Sequence, residues 1–140
     1  MKTKLRNKKE DGQAMLEFAL VLPIFLLILC GIIDFGWMFY NQLALNNISR
    51  EGARYAVVST AADNSTDEIL HHIEGYIDDT YPVLGDVDIT VKYTTPLSPV
   101  GGDVIVSIEK DFSYLTPIIS SVTGKPSRQL VSEVVMKVES

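Results

Sequence analysis

Residues 18–33, FALVLPIFLLILCGII, carry no charged or strongly polar side chain, and no feature constrains the chain more. Asp34 is the only charge between Phe18 and Tyr40, and the aromatic residues Phe35, Trp37, Phe39 and Tyr40 close the run. As a helix rising about 1.5 Å per residue, residues 18–40 reach about 34 Å, enough to cross a bilayer. Aromatic side chains at the end of such a run suit a membrane–water boundary. The reading is a single-pass membrane anchor in contact with lipid.

Charge gives the anchor a direction. Residues 1–12 hold Lys2, Lys4, Arg6, Lys8 and Lys9 against Glu10 and Asp11, a net +3, which leaves −9 on the remainder of a chain whose total is −6. No further basic residue occurs before Arg50. The positive-inside rule then keeps the N-terminus cytoplasmic and exports residues 41–140. An acidic exported domain gives no reason to expect nucleic-acid binding. The apolar run is longer than a cleavable signal core, and no A-x-A-like site follows it. Cys30 is the sole cysteine, so no intrachain disulfide is expected, and Leu29 before it does not fit a lipoprotein site.

The stretch KKEDGQAMLEFALVLP, residues 8–23, raises a separate question. Glu17 lies inside the first turns of the apolar helix, where insertion of a carboxylate costs about 2.5–3.5 kcal/mol at the bilayer centre and less near an end. One reading is that Glu17 and Asp34 snorkel to opposite interfaces. The other uses Gly12, taken as a helix breaker between leader and anchor. Cleavage after Gly12 gives Gln13 a new cationic amine, and Glu17 becomes the fifth residue of the mature chain. An amine and a carboxylate attract strongly in a poorly solvated setting, whereas either alone is penalised. If the amine belongs to a neighbouring subunit, Glu17 is an assembly determinant. Pro23 removes one helical hydrogen bond and is expected to loosen the helix near Ala19; such prolines are common in membrane helices, and this one could also let the N-terminal part adjust in an assembly with neighbouring subunits.

A basic leader, a glycine and a glutamate five residues on resemble a type IV prepilin leader. Three motifs sharpen this: EFALVLP at residues 17–23, GIIDFG at 31–36 and REGARYA at 50–56. Together they resemble the TadE-like family, pseudopilins of the tight-adherence (Tad/Flp) pilus system, over about a third of the chain. The resemblance implies a minor pilin or pseudopilin, cut between Gly12 and Gln13 by a prepilin peptidase. It implies partnership with other pilins and the Tad assembly machinery, a place in or beneath an adhesion pilus, and no enzymatic activity. The alternative from a different class is a permanently anchored extracytoplasmic binding or sensing domain, in which Gly12 and Glu17 are incidental.

Beyond the membrane the helix is expected to continue as a stem to about residue 60, with Ala44, Ile48, Gly52, Tyr55 and Ser59 on one face. Gly52 and Ala56 form a small-x-x-x-small pair that admits another helix closely. Arg50 and Arg54, beside Glu51, belong either to a solvated face or to a surface for a partner subunit. TAADNST breaks the stem, and Ser65 with Glu68 makes a capping box for a second helix lined by Ile69, Ile73, Tyr76 and Ile77. The final third alternates with period two: Val87, Ile89, Val91, Tyr93; then, after the PVGG turn, Val104, Val106, Ile108; then Leu130, Val134, Met136, Val138. Between the last two runs FSYLTPIISSV is an apolar connection that either caps the core or meets a partner or membrane surface.

These elements predict an α+β fold: a long transmembrane and stem helix, one further helix and a three-stranded antiparallel sheet. The expected division is leader 1–12, transmembrane helix 13–40, stem 41–60 and α+β module 61–140. Neither a phosphate loop nor a catalytic serine, cysteine or metal constellation is legible. His71 and His72 are adjacent and so point to different sides of a helix, which argues against a shared metal; no cofactor is expected.

Overall fold

The structure is a computed structural model that describes residues 8–60, 66–94 and 102–138. Its elements run α1 Lys8–Thr60, α2 Thr66–Thr80, β1 Asp88–Tyr93, β2 Asp103–Ser113, α3 Pro117–Thr123 and β3 Ser127–Lys137. This is the expected α+β architecture with one addition, the short helix α3. The Ser65 cap, most of the TAADNST break and nearly all of the PVGG turn lie outside the described residues.

Helix α1 is continuous for 53 residues and holds Pro23 in its interior. Gly12 does not break it. A glycine inside a helix costs roughly 1 kcal/mol relative to alanine, too little to end a helix with strong formers on both sides. Pro23 likewise forgoes a hydrogen bond without ending the element.

The sheet has the order β1-β2-β3, antiparallel throughout. Ile89 faces Ile108 and Val91 faces Val106 across the first pair, while Val106 faces Val134 and Ile108 faces Ser132 across the second. The alternation puts Val104, Val106, Ile108 and Phe112 on the inner face, none more than 1% exposed. That face packs on the C-terminal half of α1 and on α2, through Ala44, Leu45, Ile48, Ala53, Ala56, Ile69, Ile73 and Ile77. The stem is therefore one wall of the domain's core. Lys110 also points to the inner side of β2, where its Nζ donates to the Leu84 carbonyl and burial pushes its pKa down. Leu84 is itself buried, beside a turn in which Gly85 adopts φ 71°.

FSYLTPIISSV is only partly a connection. Phe112 and Ser113 end β2, and Pro117 opens α3 in the first-turn position it favours, with Thr116 extended before it and Gly124 left-handed at φ 68° after it. The side chain of Ile118 lies outside the described residues.

Candidate assembly surface and membrane-boundary latch

Gln13 and Glu17 lie one helical turn apart on one face of α1, and Gln13 Nε2 donates to Glu17 Oε1 at 3.2 Å. Both are exposed, as is every described residue from Gly12 to Val21. Exposure continues along the anchor: Phe18 is 65% exposed, Phe25 56% and Ile32 68%. The domain covers none of the anchor's most apolar stretch, which is apolar all round and needs lipid or other helices about it. A Cβ built on Gly12 meets open space. The fold therefore places no demand for glycine there.

Gly52 is the opposite case. A Cβ there would stand 2.7 Å from Ile73 Cδ1, 3.1 Å from Ile73 Cγ1 and 3.4 Å from Val106 Cγ1. The small pair Gly52 and Ala56 does admit a helix closely, but that helix is α2 of the same chain, and Ala56 is fully buried. This face is not free for a partner subunit. Arg50 and Arg54 turn outward. Arg54 holds Glu51 by a bidentate pair at 2.7 and 3.1 Å, and the guanidinium pulls the Glu51 pKa down.

Asp34 departs from the snorkelling expectation. It is 2% exposed, and protein rather than water satisfies its carboxylate. Oδ1 accepts the backbone N–H of Leu115 at 2.9 Å and of Thr116 at 3.1 Å, and Oδ2 accepts the Thr116 hydroxyl. These bonds fasten the segment before α3 to the helix 81 and 82 residues earlier in sequence. Thr116 is the α3 N-cap residue, so one carboxylate both closes the tertiary contact and serves backbone donors at the start of that helix.

Further polar groups run up the inner side of α1. Asn41 Nδ2 donates to the Trp37 carbonyl at 2.8 Å, while its buried Oδ1 has no partner among the described residues. Ser49 and Ser132 share a buried hydroxyl–hydroxyl bond of 2.7 Å between α1 and β3. Gln42 reaches the Val131 carbonyl on the β3 edge at 3.2 Å. None of these was legible as a site. The one available signal was Asp34 itself, a lone carboxylate ending an apolar run. The two histidines are placed separately: His71 lies 3.9 Å from Glu74, and His72 stacks on Tyr55 with centroids 3.7 Å apart.

Residues 12–54 match a family model described as TadE-like protein. The matched span begins at Gly12, contains Gln13, Glu17, Pro23 and Asp34, and ends on the stem at Arg54. No curated protein and no solved structure matches the chain.

Proposed function

From a TadE-like N-terminal region on a single-pass membrane helix, we propose that this chain is a pseudopilin, a structural subunit for a Tad-type adhesion pilus. Its N-terminus is cytoplasmic and its α+β module exported. A prepilin peptidase removes residues 1–12, and the exposed helix from Gln13 through Glu17 and Pro23 then packs against other pilins or pseudopilins. The chain acts by assembly, without an enzymatic step.

The observation that carries this reading is the contrast between an uncovered anchor and a stem packed along its inner face, on one helix. None of the apolar residues 18–33 is buried by the described residues, yet Glu17 puts a carboxylate on that surface at a cost lipid alone does not return. An amine on a neighbouring helix does return it. Gly12, with open space around it, is free to serve recognition by another protein, since a residue without Cβ lets a peptidase backbone approach.

The permanently anchored alternative draws on the Gln13–Glu17 hydrogen bond, which gives the carboxylate a neutral partner in its own chain. Intact mass of the protein taken from its host membrane separates the two. Loss of residues 1–12, abolished by Gly12→Val, is the expected result; a full-length wild-type chain sinks the processed-pilin reading. Glu17→Gln is then expected to leave a mature, inserted protein that no longer copurifies with pilus components. Breaking one side of a buried ion pair costs roughly 3–5 kcal/mol, more than a hundredfold in association.

A further inference from the structure

We infer that the α3 end of the domain is a lipid seat: it rests on the leaflet facing the domain and takes the headgroup of an anionic phospholipid. The inference rests on the membrane reading of α1 and goes beyond assembly.

Depth comes from the helix. The rise from Ala14 to Asp34 is about 30 Å at about 1.5 Å per residue, the thickness of a bilayer's hydrocarbon core. Asp34 therefore marks the hydrocarbon boundary on the domain side, and its bonds to Leu115 and Thr116 hold the start of α3 at that depth. Leu115, the residue so held, is 58% exposed, and Phe35, next to Asp34 in sequence, is 59% exposed. An apolar side chain at that level is continuous with the lipid-facing surface of the anchor.

Charge and shape agree with that depth. From Tyr114 to Leu130 the only charges are Lys125 and Arg128, both exposed, in a chain of net −6. The nearest acids along β2, Glu109 and Asp111, are on its outer face, and the Asp34 carboxylate is occupied by its three donors. A crevice of about 210 Å³ is lined by Asp34, Phe35, Met38 and Ile119, with Tyr114, Thr123 and Arg128 at its side. Tyr114, Thr123 and Arg128 also line an adjoining, more polar crevice of about 480 Å³ that includes Lys125. An apolar slot opening into a basic one fits the upper acyl chain and phosphate of one lipid. Basic side chains near an anionic leaflet are attracted to it electrostatically.

The test uses the full chain in vesicles of phosphatidylcholine with or without phosphatidylglycerol. Leu115→Trp is placed in a Trp37→Phe background, and Val58→Trp in the same background is the control, about 36 Å farther along α1. Both proteins should float with the vesicles; failure to float would overturn the membrane reading itself. In floated protein the Leu115→Trp emission should be blue-shifted and quenched by lipids brominated near the glycerol, with Val58→Trp unquenched. Phosphatidylglycerol should deepen the quenching, and Lys125→Gln with Arg128→Gln should abolish that dependence. Equal emission and quenching at the two positions overturns the lipid seat. So does a blue shift at Leu115→Trp without bromine quenching, which assigns the cover to protein. Amide exchange of the unsubstituted chain is the second measurement: phosphatidylglycerol should slow exchange at Leu115 and Thr116, and an unchanged rate overturns the headgroup site.

Discussion

Leu27 and Ile48 are aliphatic residues on one unbroken helix, yet Leu27 is 50% exposed and Ile48 is fully buried. The same contrast separates Gly12, in open space, from Gly52, pressed against Ile73. The local sequence decides which. Residues 18–33 are apolar on every side, so one sheet and one helix cannot cover them. Residues 41–59 interleave the exposed Asn47, Arg50 and Arg54 with aliphatics, and a single inward face suffices. One half of α1 is solvated by lipid or other helices, and the other half is the domain's own core.

The largest effect that tests this division is a cavity on each side of it. Ile48→Ala should destabilise the domain by about 2–5 kcal/mol, since the space left in the core cluster to which Ile48 belongs cannot fully collapse. Leu27→Ala should leave the domain's thermal midpoint in detergent unchanged, because Leu27 is 50% exposed and is not among the described residues of the core. A Leu27→Ala shift comparable to that of Ile48→Ala would break the comparison.

Next in size are the two glycines. Gly52→Val forces methyl groups onto Ile73 and Val106 and should cost about 1–3 kcal/mol by overpacking. Gly52→Ala should cost less, because the far end of the Ile73 side chain can rotate away. Gly12→Val should leave domain unfolding at its wild-type midpoint, whatever it does to processing. Denaturant titration of the three variants ranks them.

Asp34 joins the two halves, and a smaller loss is expected there. Asp34→Asn keeps the shape but exchanges charge-assisted hydrogen bonds for neutral ones, a difference of about 1 kcal/mol. It should appear as faster amide exchange at Leu115 and Thr116, with the Ile108 amide in mid-sheet unaffected. Equal acceleration at Ile108 would show that Asp34 supports the whole core rather than the α3 latch.

The fold was legible where periodicity repeats. Val104, Val106 and Ile108 gave a strand with one buried face, and Ile69, Ile73 and Ile77 gave a helix, because each pattern spans several turns or pleats. The spacing of Gly52 and Ala56 says that another helix can come close, but spacing does not say which helix approaches. Helix α3 went unread because seven residues carry too little periodicity, and its start depends on a carboxylate from α1. The role of Asp34 lay beyond pattern for the same reason: its partners are backbone N–H groups, which every residue but proline has. The Ser49–Ser132 bond is likewise a tertiary pairing of two residues that read as ordinary helix and strand polar positions.

The smallest expected effect lies on the outer side of the stem, where Arg54 holds Glu51 on an exposed face. The hydrogen bond from Arg54 is the main reason the Glu51 pKa is lowered, with partial burial opposing it. A carboxylate whose pKa falls on folding contributes stability that is present above its unfolded value and lost as pH falls through the folded one. The window is therefore below about pH 4.5. Arg54→Gln should remove this contribution, so wild type and variant should have thermal midpoints slightly apart near neutrality and converging as the pH falls through the lowered Glu51 pKa. Water and salt screen a pair this exposed, so the gap at neutral pH should be close to the error of the measurement and should close in high salt. A large, salt-resistant gap would mean that Arg54 is buried against something in the assembled protein, and the outward side of the stem would then belong with the anchor among the surfaces that meet a neighbour.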